Sequence, residues 1–242
     1  MKFVKFKKVL FGFTVLIVSF SSLTYLAKQR HYIIKNIKQL MFSNGYTLEQ
    51  KDKNKYWAKK ILSGGFILFF RHAERDKWID VAMYDALESQ LFDKKNSNSF
   101  RFAENEYFAN AVCLNHRGII QSKAMREVIQ YSKLQVGYVV SSPSCRARQT
   151  AELVFGGYDE LEKKLYHKGP YTELGNRPKF LENYILNLPR TENKNLIISA
   201  HNGIIGVDLF PSDKSLQEGG FYVLSIKDNK LFFEHEFHSF KL

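Results

Sequence analysis

The sequence predicts an α/β domain built on a mainly parallel sheet that ends in an antiparallel C-terminal hairpin. Three observations carry that expectation. Phe66–Phe70, Val136–Val140 and Leu196–Ser199 are short, continuous apolar runs, the pattern of strands buried on both faces of a sheet. Segments with helical spacing of apolar residues lie between them. Near the end, Phe221–Ile226 and Leu231–Glu236 flank Lys227-Asp-Asn-Lys230, a hairpin signal.

The elements follow in order. Residues 1–38 begin with Lys2, Lys5, Lys7 and Lys8 and continue with an apolar run from Val9 to Leu26, after which Lys28 and Arg30 turn the chain basic again. A helix over that run would span about 27 Å, enough for a bilayer core and longer than a cleaved leader needs. A signal-anchor is expected, with a signal peptide cleaved near Ser22 and Thr24 as the alternative. Either would place the rest of the chain outside the cytoplasm: anchored to the membrane with a periplasmic domain, or secreted. Residues 39–63 read as a polar linker with a short surface helix around Tyr56, Trp57, Ile61 and Leu62, stopped by Gly64 and Gly65. The domain proper is then 64–242. Its clearest helices are Gly118–Tyr131, with Ile119, Ile120, Ala124, Met125, Val128 and Ile129 in helical register, and Ala147–Val154.

Composition excludes several classes. With 45% hydrophobic and 15% aromatic residues the chain holds ample material for a packed core, so it is not a disordered protein. The formal charge of +12 would point to nucleic acid if it were spread over the fold. It is not: thirteen Lys and Arg but only Glu49 and Asp52 fall in residues 1–60, and the rest of the chain is nearly neutral. A basic arm beside an apolar run suits a membrane surface, and no nucleic-acid partner is expected. Cys113 and Cys145 have neither C-x-x-C spacing nor a nearby histidine pair, so no structural metal is expected; they read as two buried thiols, with a disulfide as the alternative if the domain is exported.

Three polar clusters fall at the carboxyl ends of the three apolar runs, where open α/β sheets bind ligands. These are Arg71-His72, Ser141-Ser-Pro-Ser-Cys-Arg146 and Ala200-His201-Asn202. Two arginines and two histidines converging on one crevice would repel one another unless an anion sat among them, and phosphate fits. His72 suits a nucleophile: a neutral imidazole can attack through one nitrogen while the other is held by an acceptor. Arg71 and Arg146 offer planar forks for phosphate oxygens, and His201 adds a further donor. A leaving alkoxide needs a proton, for which Glu173 is the candidate and Glu74 the competitor. Ser142 and Asn202 are possible second-rank partners of these groups. Cysteine-phosphatase, serine-hydrolase and nucleotide-triphosphatase motifs are absent from the sequence.

Arg71-His72-Ala73-Glu74, Leu114-Asn-x-x-Gly118-x-x-Gln121-Ser122, Ser141-Ser-Pro-x-x-Arg146-Ala-x-Gln149-Thr-Ala151 and Ala200-His-Asn-Gly203 together resemble the histidine phosphatase superfamily. The resemblance implies a three-layer sandwich with helices on both faces of the sheet. It also implies phosphoryl transfer through a phosphohistidine at His72, no cofactor, and an acid in Tyr171-Thr-Glu-Leu174. Ala73 stands where that family commonly has Gly, as does Asn202. The Arg-His-Ala-Glu-Arg form is similar to an exported branch that includes lipopolysaccharide core heptose phosphatases. The implied partner is thus a phosphorylated small molecule, glycan or lipid. A phosphoglycerate mutase-like transferase and a membrane-tethered phosphate-binding module without turnover are the other two readings. Residues 76–113, rich in aromatics, would be either a cap over the pocket or a surface helix pair packed on the sheet.

Overall fold

The computed structural model of the protein describes residues 48–76, 85, 109–167, 177–204 and 216–238. The chain forms two compact units, Met1–Lys51 and Asp52–Leu242, and the sheet belongs to the second. The apolar run Val9–Leu26, Glu173 and most of the 76–113 segment lie outside the described residues. Among the described residues no helix is long and apolar enough to cross a membrane.

Six strands form one sheet: β1 (Ile67–Arg71), β2 (Val136–Ser141), β3 (Glu160–Leu161), β4 (Asn195–Ala200), β5 (Phe221–Lys227) and β6 (Lys230–Phe237), in the order β3-β2-β4-β1-β5-β6. The pairs β1–β4, β2–β4 and β2–β3 are parallel, whereas β1–β5 and β5–β6 are antiparallel. Asp228 and Asn229 turn the β5–β6 hairpin, both with positive φ, as a tight two-residue turn demands.

Alternation along the strands builds two cores. Ile67 and Phe69 join Val140, Ile198, Leu181 and Ile185 on one face, while Leu68 and Phe70 join Val139, Ile197, Met125, Ala151 and Val154 on the other. Burying each such side chain contributes roughly 1.5–3 kcal/mol, and strands clad on both faces show no polar alternation. Helix α1 (Leu48–Ile61), α3 (His116–Ser132) and α4 (Cys145–Phe155) send Ile61, Met125 and Val154 to the second core, and α5 (Arg177–Leu186) sends Leu181 to the first. Helices therefore cover both faces, giving the three layers expected.

Helix boundaries depart from the sequence expectation for local reasons. Helix α1 starts at Leu48, well before Tyr56, because nothing between them breaks a run of good helix formers. It ends at Ile61, and the chain then turns through Gly64, whose φ of +75° and position 2.1 Å from the Asn193 carbonyl oxygen, measured to an added Cβ, admit no side chain. Helix α3 starts two residues before Gly118 because the Asn115 side chain caps it, accepting from the Gly118 N–H at 2.8 Å. Helix α4 begins at Cys145, not Ala147, which puts Cys145 and Arg146 in its first turn. The short α2 (Ala109–Val112), β3 and α5 had no clear sequence signal.

The cysteines correct the expectation of two thiols. Cys113 follows α2, Cys145 opens α4, and packing against Val112 brings their Cα atoms to 4.8 Å, within bridging range; they form a disulfide. Their separation of 32 residues hid this proximity in the sequence.

Candidate active site

The carboxyl ends of β1, β2 and β4 lie side by side, pairing Arg71 with Ala200 and Ser141 with Ser199. This register brings the three polar clusters together. The His72 and His201 rings stand 5.3 Å apart, centroid to centroid. Arg71, Arg75 and Arg146 all act electrostatically on His72. The sequence-predicted His72, His201, Arg71 and Arg146 thus share one crevice.

The His72 segment is fixed on all sides. Its N–H donates to the Ala200 carbonyl at 3.0 Å, and its own carbonyl accepts from the Gly219 N–H at 2.9 Å. The next two N–H groups, of Ala73 and Glu74, donate to Thr150 Oγ1 at 2.9 Å and Gln121 Oε1 at 3.0 Å. Gly118 lets α3 approach this loop: an added Cβ would lie 2.0 Å from the Glu74 carbonyl oxygen. Thr150 and Gln121 therefore act as the scaffold of the His72 segment, which explains why these polar residues are turned inward on their helices, while Gln149 Oε1 accepts from the Leu114 N–H at 2.8 Å.

His72 Nδ1 lies 2.8 Å from the Ala73 carbonyl oxygen. A carbonyl only accepts, so Nδ1 carries the proton and Nε2 keeps its lone pair. Burial, then the guanidinium groups of Arg146 and Arg71, hold the ring well below its ordinary value of 6.5, while the Ala73 bond opposes them. The imidazole is therefore neutral over the physiological range.

The arginines are built in with their counter-ions. Arg71 donates from Nη1 to the Leu216 carbonyl at 2.5 Å and from Nη2 to Glu218 at 3.2 Å. Arg146 makes a bidentate pair with Asp85 at 3.0 and 2.6 Å. The Nε–H groups of Arg71, Arg75 and Arg146 are buried and have no hydrogen-bond partner among the described residues. Each such donor costs about 1–3 kcal/mol in lost hydration, which an oxyanion ligand would restore.

The remaining assignments separate. Ser142 and Ser144 hydroxyls both reach His201 Nε2, at 3.0 and 3.1 Å; the sequence singled out Ser142 but not Ser144. Asn202 Oδ1 accepts from the Leu216 N–H, fixing the carbonyl that receives Arg71. The His167 ring lies 6.1 Å from that of His201, tilted against it, and its Nδ1 bonds the Asn202 carbonyl. The Glu74 carboxylate turns to Arg117 and to Asn115 at the start of α3, where the helix dipole favours it. Glu173 lies outside the described residues. No group of three or more potential metal ligands occurs among the described residues.

Sequence reasoning gave no role to Arg75, although it stands inside the Arg71-His-Ala-Glu-Arg75 run, and missed Asp85 and Glu218, which carry no local signal.

No family model matches the chain, and no curated protein matches it. Among solved structures, the chain is similar to several at low identity. The protein histidine phosphatase SixA complexed with tungstate is 16% identical, with 72% of this chain and 96% of that chain covered and a TM-score of 0.46. A mycobacterial glucosyl-3-phosphoglycerate phosphatase is 15% identical, covering 71% and 98%, with a TM-score of 0.43. A phosphoserine phosphatase mutant from Entamoeba histolytica is 12% identical, covering 71% and 95%, with a TM-score of 0.46.

Proposed function

We propose that the chain is a metal-independent phosphomonoester hydrolase of the histidine phosphatase superfamily, with His72 as the group that is transiently phosphorylated. One observation carries the reading. A buried imidazole has Nδ1 committed to the Ala73 carbonyl, and the guanidinium charges of Arg146, Arg71 and Arg75 act on its ring. Nε2 attacks phosphorus in line, the ester oxygen leaves with a proton, and water then attacks the phosphohistidine to release inorganic phosphate and regenerate His72. Arg71, Arg75 and Arg146 hold the phosphoryl oxygens through both steps, with His201 as a further donor. The proton for the leaving oxygen is assigned to Glu173, since the Glu74 carboxylate is engaged at α3. The substrate proposed is an extracytoplasmic phosphorylated glycan, lipid or small molecule, reached by a domain that residues 1–38 tether to or carry across a membrane.

The test is hydrolysis of 4-nitrophenyl phosphate by the full chain with EDTA present. The wild type should turn over and give an acid-labile phosphoenzyme, and a folded His72→Ala protein should do neither. Wild-type turnover by His72→Ala, or an EDTA-sensitive rate restored by a divalent metal, would end the phosphohistidine reading.

A further inference from the structure

We propose that Asp85 is the positioning residue of Arg146, holding its guanidinium in place for phosphate. The inference rests on the phosphate-handling role given to Arg146 above. The Asp85 side chain is fully buried, as is that of Arg146 to within 2%. Its two oxygens take one N–H from each terminal nitrogen of the guanidinium, at 3.0 and 2.6 Å. A guanidinium has five N–H donors arranged as two forks, one end-on and one side-on. Asp85 occupies the end-on fork. The side-on fork, Nε–H with the second hydrogen of Nη2, remains, and Nε is buried without a partner among the described residues.

Two readings of this contact oppose one another. A carboxylate that mimicked phosphate and blocked the site would sit where a ligand enters from solvent and would compete for the fork the ligand uses. Asp85 is inaccessible, and it leaves the side-on fork unused. It also faces an electrostatic need, because Arg71, Arg75 and Arg146 repel one another, and Asp85 acts favourably on Arg75 as well. Holding Arg146 from behind therefore aims its remaining donors and lowers the cost of gathering three cations before any phosphate arrives.

The experiment is a double-mutant cycle in the full chain with Asp85→Asn, Arg146→Met and the pair together. Tungstate, a tetrahedral dianion, is the binding probe, titrated calorimetrically, and 4-nitrophenyl phosphate gives kcat and KM. Asp85→Asn should weaken tungstate binding and kcat/KM by about tenfold to a hundredfold. Arg146→Met should weaken both at least as much, and the double variant should match Arg146→Met within about twofold, because positioning by Asp85 has no effect once the Arg146 guanidinium is gone. Unchanged or tighter tungstate binding in folded Asp85→Asn overturns the proposal. If Asp85→Asn does not fold, Arg146→Met and the double variant decide it, since together they remove both buried charges. Equal affinities support positioning; a further loss of more than about fivefold overturns it. Asp85-dependent tungstate binding without turnover would sink the hydrolase reading and keep this inference. Turnover that Asp85→Asn leaves intact would do the reverse, and a wild type that binds no tungstate would sink both.

Discussion

Thr150→Val isolates the support of the nucleophile from the nucleophile itself. Thr150 Oγ1 accepts from the Ala73 N–H at 2.9 Å and donates to the Arg146 carbonyl at 2.7 Å, and Thr150 and Ala73 are both fully buried. Valine keeps the shape and removes the hydroxyl. The Ala73 N–H is then buried without an acceptor, at a cost of about 1–3 kcal/mol, whereas the Arg146 carbonyl remains on the helix ladder of α4 and loses little. The same peptide segment presents the Ala73 carbonyl that orients the His72 ring, so a shift there is felt at Nε2. A misplacement on the order of 1 Å lowers kcat by roughly a hundredfold. Urea unfolding should show the stability loss and 4-nitrophenyl phosphate the rate loss. Thr150→Ser, which keeps the hydroxyl and gives up a methyl, should lose about 1 kcal/mol yet retain most of the rate. A Val variant with stability within about 0.5 kcal/mol of wild type and unchanged turnover would refute the reasoning, as would a Ser variant as slow as Val.

The other expectations are shorter. Because His72 titrates well below 6.5 in the folded protein, the unfolded chain takes up the proton first as pH falls, so this stability is present above about pH 6.5 and lost below it. At pH 5 the wild type should have lost more stability than His72→Asn, and equal acid sensitivity of the two proteins would contradict the depressed value. The disulfide closes a loop with a separation of 32 residues, for which chain entropy gives ~3–4 kcal/mol. Dithiothreitol should lower wild-type stability by that order and leave Cys113→Ser/Cys145→Ser unchanged; an equal effect on both would remove the bridge from the account. Glu173→Gln should slow alkyl phosphates far more than 4-nitrophenyl phosphate in the pre-steady-state burst, since only alkoxides need the proton. The same contrast in Glu74→Gln instead would transfer the acid role.

The sheet was legible because its central strands are buried twice, which forces a continuous apolar run, and because each run stops abruptly at a polar cluster. Arg71, Ser141 and Ala200 end β1, β2 and β4, so the three clusters that form the crevice were visible as strand ends. What the sequence hid depends on long-range partners. The carboxylates that accompany the arginines come from far along the chain, Asp85 61 residues from Arg146 and Glu218 147 residues from Arg71. Neither has a spacing that marks it. The cysteines failed for the same reason, because their meeting requires α2 to lie against α4. Helix starts were displaced by caps, which act through one side chain and leave the apolar period unchanged.

The arginine field ties ligand binding to nucleophile activation through one cause. Among the described residues, Asp85 and Glu218 pair with Arg146 and Arg71, which sets three guanidinium groups against two paired carboxylates before any ligand binds. A protonated His72 would add another cation to a buried group already surrounded by cations, so the field that attracts a phosphate dianion also expels the imidazole proton. An ordinary general base must be tuned separately from the anion site beside it. In the proposed mechanism the two are coupled: weakening an arginine should lower anion affinity and let the histidine gain a proton. Neutralising one of these guanidinium groups by substitution should therefore move the acid limb of kcat/KM upward in pH while raising KM, a coupling that an uncharged hydrogen-bond donor in its place would not produce.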